Sequence, residues 1–427
     1  MKFVKNNFLN AVLVFSFMGF SFMAISLTAH SAETITEALT GGKDFANVQY
    51  RYEGVRNPGK STAPNYANAS TVRLRFGYET ATYLSFAVLV EAETLKKLGG
   101  GNYDSKANGK TGYALVADPE FTEMNQAYLS YKGLDSRTTL KWGRQRLILD
   151  NARFIGNVGW RQNEQTFDAF TVVNDYLPDT KITAGYLTNA NRVFSDNALA
   201  TSGAFAGNHK MKSPIINVSY KGWELAEVVG YGYFLNYEQS ASYANSTKTY
   251  GLRMKGSTPI GSNDLIYTAE YATQSNYKNN PANYRNRYIF LEGGVDIKSA
   301  DFKVGYEVLG GDGVKSFSTP LATLHSFNGW VDMFLTTPAT GLKDLYATAG
   351  TTLAGIKLAA IYHDYSADTG GINYGTEWNL IASKNFDKNY AIGTKYGRFS
   401  SSSAPTRINT DKLWLWAEAH GTRLSNL

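Results

Sequence analysis

Alternation with a period of two, repeated through most of the chain, constrains this sequence more than any other feature. In Asn47-Val-Gln-Tyr-Arg-Tyr-Glu53, Asn47, Gln49, Arg51 and Glu53 are polar while Val48, Tyr50 and Tyr52 are not. Val72, Leu74, Phe76 and Tyr78 alternate with Arg73, Arg75, Gly77 and Glu79. Leu84, Phe86, Val88, Val90 and Ala92 alternate with Ser85, Ala87, Glu91 and Glu93. Successive side chains of a strand point to opposite faces, so each segment has one face of arginine and glutamate and one of aliphatic and aromatic groups.

The same reading along the chain predicts strands near 43–54, 71–79, 83–93, 122–131, 137–144, 166–173, 180–187, 215–220 and 224–237. It continues with 249–256, 264–273, 285–295, 301–309, 344–350, 355–365, 374–383, 390–398 and 410–420, eighteen segments in all. Links such as Lys132-Gly-Leu-Asp-Ser136, Asn174-Asp-Tyr-Leu-Pro-Asp179 and Asp296-Ile-Lys-Ser-Ala-Asp301 are short and turn-like, whereas 94–121, 145–165, 188–214 and 310–343 are long. Long and short links alternate, beginning with a long one. A membrane barrel whose chain starts in the periplasm has this pattern, with short turns inside and longer loops outside. A soluble sandwich or propeller has no reason to alternate its links, and in lipid only a closed barrel satisfies the backbone of strands. The expected fold is therefore all-β: a transmembrane antiparallel barrel of about 18 strands.

The first thirty residues read as a separate element. Lys2 and Lys5 precede an almost wholly apolar run from Phe8 to Leu27, and Ala29-His-Ser-Ala32 offers small residues for cleavage. The expectation is a secretory signal peptide over 1–32 and a single barrel domain over 33–427. The formal charge of +6 falls to +4 once Lys2 and Lys5 are removed, and no Lys/Arg run points to nucleic acid. With no cysteine in the chain, disulfide frameworks, thiolate metal sites and cysteine nucleophiles are excluded.

Enzyme signatures are not found. No His-Glu-x-x-His, Gly-x-Ser-x-Gly or phosphate-cradling Gly-Lys-Ser/Thr occurs, and His209, His325, His363 and His420 lack ligand spacing. Gly310-Gly-Asp-Gly313 reads as a turn opening a long loop. Asp364 and Asp368 beside Gly370-Gly371 read as a turn in preference to a calcium site. No metal, organic cofactor or catalytic residue is expected.

Two long stretches carry further information. Trp142 to Ala169 contains Trp-Gly-Arg-Gln-Arg and Gly-Trp-Arg-Gln, with Arg144, Arg146, Arg153 and Arg161 outnumbering Asp150 and Glu164. Thr319 to Tyr346 contains Phe-Asn-Gly-Trp-Val-Asp-Met-Phe. Together with Gly305-Tyr-Glu-Val-Leu-Gly-Gly-Asp-Gly313 and Tyr374-Gly-Thr-Glu-Trp378, they resemble the alginate-export family of bacterial outer-membrane barrels over about residues 45–418. The resemblance implies an eighteen-stranded barrel in the Gram-negative outer membrane, passing acidic polysaccharide along basic side chains. It also implies that Arg144 and Arg161 either face the pore or are held by Asp168, anchoring the third outer loop.

Strand parity places Arg51, Arg73, Arg75, Lys141, Lys181, Arg253, Lys255, Lys303, Lys357 and Lys395 in the lumen, against Glu53, Glu79, Glu91, Glu93, Glu270, Glu292, Glu307 and Glu377. The lumen is thus mixed, and selectivity rests with the few charges at its narrowest point. The candidate pore-lining or substrate-binding residues are Arg51, Arg73, Arg75, Lys141, Arg144, Arg161, Arg253, Lys303 and Lys395. The loop 310–343 carries Leu321, Leu324, Phe327, Trp330, Met333, Phe334 and Leu335, too apolar for a solvated loop, and is expected to fold into the barrel mouth. The sequence thus reads as a diffusion channel in contact with outer-membrane lipid, for anionic oligo- or polysaccharides or small anions. A general diffusion porin and a secreted β-rich polysaccharide-binding protein are the alternatives.

Overall fold

The computed structural model describes residues 31–57, 64–133, 135–201, 203–402 and 407–424. The expected signal peptide, apart from Ser31 and Ala32, lies outside the described residues. A short helix α1 (Ile35–Thr40) precedes the first strand, its start capped by the Thr34 hydroxyl, which accepts from the Glu37 N–H at 3.1 Å. The Ala81 N–H donates to the Ala38 carbonyl, fastening this helix to the turn after the second strand.

Eighteen strands follow: β1 (Lys43–Arg56), β2 (Tyr66–Glu79), β3 (Phe86–Lys97), β4 (Phe121–Gly133), β5 (Thr138–Gln145), β6 (Thr166–Asn174), β7 (Thr180–Asn191), β8 (Asn208–Tyr220) and β9 (Glu227–Leu235). The second half gives β10 (Thr247–Ile260), β11 (Asn263–Asn276), β12 (Arg285–Ile297), β13 (Ala300–Leu309), β14 (Leu342–Leu353), β15 (Ile356–Ser366), β16 (Asn373–Asn385), β17 (Tyr390–Ser401) and β18 (Thr410–Leu424). Each pairs antiparallel with its sequence neighbours, and β18 returns to β1 from Arg56↔Asp411 to Lys43↔Leu424, which closes the barrel. No helix among the described residues is long and apolar enough to cross a membrane.

The two-faced strands stand as their sequences require. Leu74, Phe76, Val88 and Val90 are exposed on the outer wall, as are Leu252, Tyr271, Leu291, Val304 and Leu380, while Arg51, Arg73, Glu91 and Glu93 are buried inside. Two boundaries differ instructively from the sequence reading. Ser85 belongs to a turn, with φ +70°, so β3 starts at Phe86 and its alternation begins there. β8 starts at Asn208, seven residues before the expected 215, because Pro214 sits opposite Tyr186, next to a bulge at Leu187/Asn189 where the ladder is already interrupted.

Two outer loops fold inward. The third (146–165) and the seventh (310–341) meet in the lumen, where the Gly156 N–H donates to the Leu321 carbonyl at 2.9 Å and the Thr323 N–H to the Ala152 carbonyl at 2.9 Å. Leu147, Leu149, Phe154 and Ile155 of one loop pack with Phe317, Leu321, Val331 and Phe334 of the other and with the wall tyrosines Tyr231, Tyr233, Tyr288 and Tyr365. The main apolar core therefore lies inside the barrel. Gly329 is required at its tightest point: φ is +85°, and a Cβ there would lie 2.3 Å from the Tyr365 hydroxyl and 2.4 Å from Glu377 Oε1.

Candidate functional site

The two loops form a plug held by charge pairs that reach across the barrel. Arg161 of the third loop binds Glu53 of β1 at 2.7 Å and Asp332 of the seventh loop at 3.2 Å, with Asp118 at 3.8 Å. Lys412 of β18 lies 2.9 Å from the same Asp332. Arg153 donates to Glu307 of β13 at 2.8 Å and to the Asn328 amide oxygen at 3.0 Å, and Asn328 in turn donates to Glu307 and to Asp344 of β14. Glu164 takes Arg146 and, at 3.3 Å, Arg75 of β2, while Arg75 also pairs with Glu93 of β3. All these residues except Arg75, Arg146 and Asp332 are buried, and the Asp332 carboxylate itself is nearly so. Charges this deep are tolerable only when paired and hydrogen-bonded, and bidentate arginine suits that task.

The electrostatics of the loop groups follow. Burial acts to raise Glu164, yet Arg75 and Arg146 overcome it and bring its pKa down to about 2. Burial likewise opposes the charge on Asp332, and Lys412 and Arg161 hold it well below the usual carboxylate range. Burial lowers His325 to about 3, aided by Lys395 and Arg161 and opposed by Asp332. His325 is therefore neutral, and its Nδ1–H donates to Asp332 at 2.8 Å.

One cation in the plug, Lys395, has no carboxylate partner among the described residues. Lys395 of β17 lies 3.7 Å from the ring centre of Trp160 and 4.3 Å from that of Trp330, with His325 Nε2 at 3.3 Å. Trp160 also stacks on His325 at 4.8 Å and takes the Arg51 guanidinium over its ring at 4.3 Å. A wall lysine and arginine thus clasp a tryptophan from each inward loop by cation–π contact.

Below the plug, on the side of the short turns, lies a cavity of about 740 Å³. Arg253 and Lys255 of β10, Lys303 of β13, Tyr267, Phe290, Tyr346 and the underside of the seventh loop, including Trp330, line it. Its carboxylates are engaged: Glu292 accepts from the Tyr346 hydroxyl at 2.6 Å, Asp344 from His363 at 2.9 Å, and Glu227 from the Ser219 hydroxyl. Arg253 is taken by Glu270. Lys255 and Lys303 have no carboxylate partner among the described residues, nor do the inward lysines Lys141, Lys181 and Lys357 nearer the short turns, although Lys141 touches the Tyr128 hydroxyl at 3.3 Å.

The candidate residues from the sequence thus separate into groups. Arg51, Arg73, Arg75, Arg161 and Lys395 come together at the plug, where Arg51 also faces Asp118 at 3.6 Å and Arg73 donates to Asn47 and to the Gln162 carbonyl. Lys141, Arg253 and Lys303 line the space below. Arg144 is corrected as a pore-lining residue, while the alternative that Asp168 holds it stands: it shares the face of Trp142, which is 70% exposed to the outside, so it lies on the outer wall and does not face the lumen. There it pairs with Asp168 at 2.8 Å, and Asp168 also accepts from Asn191 of β7. Arg161 is a second correction, since its partners are Glu53, Asp118 and Asp332, not Asp168; Asp168 ties together the outer ends of β5, β6 and β7. The sequence reading missed Asp118, Asp332, Lys412 and the Trp160–Lys395–Trp330 clasp. The adjacent pairs Trp160-Arg161 and Trp330-Val-Asp332 were the available signal.

Comparison with known proteins agrees with this geometry. The family model described as alginate export matches residues 90–295. The chain folds as an outer-membrane-type β-barrel. Its fold is shared with the Pseudomonas aeruginosa proteins OccK9 (OpdG), TM-score 0.70 at 13% identity over 90% of this chain and 100% of that one, and OccK5 (OpdH), TM-score 0.66 at 14% identity over 90% and 99%. Acinetobacter baumannii OccAB4 aligns at TM-score 0.67 and 12% identity over 91% and 100%. No curated protein sequence matches the chain. As an outer-membrane barrel it meets lipid with the apolar wall described above, and its short turns face the periplasm.

Proposed function

We propose that this channel passes small anionic solutes, with uronate-bearing saccharides as the polysaccharide class its family suggests, by diffusion past the plug and through the lysine-lined cavity. The observation that carries this reading is that Lys255 and Lys303 have no carboxylate partner among the described residues where the cavity's carboxylates are already engaged. Tyr267, Phe290, Tyr346 and Trp330 beside them offer rings for a sugar or aromatic face. The OpdK barrel of similar fold was solved with vanillate, a small aromatic carboxylate. At the periplasmic rim Asp264, Asp296 and Asp301 are cross-strand neighbours and oppose the lysines, so the preference for anions is weak to moderate. The filled lumen favours short solutes over a polymer in this conformation.

Zero-current potentials in salt gradients, with block by oligouronate, test the proposal. Wild-type channels should favour chloride, and Lys255→Gln with Lys303→Gln should move the potential toward cations and weaken the block. A wild-type preference for cations, or an unmoved potential in the double variant, would leave a general diffusion porin as the reading.

A further inference from the structure

The outer wall carries a second charged feature that the channel does not use. At the outer ends of β8, β10, β12 and β14 the side chains facing away from the lumen are Lys210 and Lys212, Lys248, Arg285 and Arg287, and Lys343. Parity fixes their direction: Lys210 and Lys212 share the face of exposed Ile216, Lys248 that of Tyr250, Arg285 and Arg287 that of Leu291, and Lys343 that of Leu345. The pairing register sets them side by side. Lys248 pairs with Ser275 and Ser275 with Arg285, while Lys343 pairs with Val308 and Val308 with Ile289, one step below Arg287. Strands spaced about 4.8 Å apart put the cationic strands roughly 10 Å from one another, a band about 30 Å wide.

Two of the six are neutralised, Lys212 by Glu238 at 2.7 Å and Arg287 by Asp368 at 3.4 Å. Lys210, Lys248, Arg285 and Lys343 have no carboxylate partner among the described residues. Elsewhere on the outer wall Arg144 is paired with Asp168 and Arg398 with Asp411. Phe234 and Ile289 stand level with the band, and Tyr250, Leu291, Tyr306 and Leu345 directly beneath it, toward the membrane centre. Phe234 and Tyr250 are in edge-to-face contact at 5.4 Å. Aromatic side chains of this kind mark the interface of a membrane barrel, which sets the cations at the level of the outer-leaflet headgroups.

We propose that this band is a docking surface for phosphorylated glycolipid of the outer leaflet, with phosphate groups bridging Lys210, Lys248, Arg285 and Lys343 while acyl chains lie along the apolar wall below. Charge complementarity commits the occupant: four free cations at headgroup depth match a lipid bearing more than one phosphate, and a zwitterionic headgroup would leave them uncompensated.

The test uses the full mature barrel in detergent, with diphosphoryl lipid A and its dephosphorylated form as probes. Binding is read by native mass spectrometry and by the rise in melting temperature. The wild type should retain and be stabilised by the phosphorylated form only, and the effect should weaken in high salt. The combined variant Lys210→Gln, Lys248→Gln, Arg285→Gln and Lys343→Gln should bind at least about tenfold more weakly with unchanged conductance. Equal binding of both lipid forms by the wild type, or undiminished binding by the variant, would overturn the proposal. Should the variant fail to fold, the comparison of the two lipids on the wild type still decides, and neither result bears on anion selectivity.

Discussion

The plug and the cavity beneath it use the two kinds of basic residue in opposite ways. Arginines at the plug are consumed by structure: Arg153 by Glu307, Arg161 by Glu53 and Asp332, Arg75 by Glu93 and Glu164. Lysines below it are left free, as Lys255 and Lys303 are. A guanidinium offers a rigid fork that can satisfy two carboxylates at once in a buried network, whereas an ammonium on a flexible stem is a mobile charge suited to a wet passage. A basic residue facing the lumen is therefore not by itself a selectivity residue; its partner decides.

The largest test of this division is removal of Phe317 to Thr337. Conductance should rise severalfold if the barrel still closes, because this segment fills the lumen, and unchanged conductance would show that the passage runs elsewhere. Next comes Arg161→Met, which leaves Glu53 and Asp332 buried with fewer partners at a cost of about 3–5 kcal/mol. Single-channel records should become noisy, with faster proteolysis around residue 160, and a quiet, protease-resistant variant would mean that the plug does not depend on this pair. The facing assignment on which both regions depend is sharpened by Val88→Arg, expected to cost about 2–4 kcal/mol of folding stability in vesicles. Ala87→Arg, on the lumen face, should cost little, so equal losses would contradict the register.

Acidification should loosen the plug. His325 is depressed to about 3 in the buried site but would titrate near its ordinary 6.5 once the loop withdrew into water. The plugged state thus binds fewer protons than the withdrawn one between these values. Its stability is present in full above about 6.5 and is lost as pH falls, by up to about 1.4 kcal/mol per unit for this group. Glu164, depressed to about 2, adds the same trend below its ordinary 4.5. Open-channel noise recorded from pH 7 down to pH 4 should increase, and His325→Asn should remove the part between pH 6.5 and 4. The smallest expected effect completes the comparison: Arg73→Gln with Arg75→Gln should shift the zero-current potential less than the Lys255/Lys303 double variant while adding more noise. Equal potential shifts would erase the distinction between structural arginine and free lysine.

Most of the wall was legible in the sequence. All eighteen strands were read, all but β8 to within five residues at either end, because alternation is a local property of each segment and the alternation of long and short links orders them. Where β8 was read short, lysines and Pro214 resembled a loop, and only the outward face at the membrane surface explains why cations and a proline are tolerated in that strand. Parity also placed Arg51, Arg73, Arg75 and Lys395 in the lumen. Parity counted from Lys141 also puts Arg144 on the outer face, and only the family resemblance grouped it with Arg161, which belongs to a loop whose direction no periodicity encodes.

The sequence by itself determined the barrel, its strand number, the two faces of its wall and the presence of an apolar loop that needed cover. Each follows from residues within a dozen positions of one another. Tertiary structure alone decided which charges are neutralised and which remain free. The deciding pairs are distant, with Arg161 and Glu53 separated by 108 residues and Arg153 and Glu307 by 154. Such partners are chosen when two loops turn inward to bury Phe154, Leu321 and Phe334, and the charges carried with them must find counter-ions on whatever wall they then face.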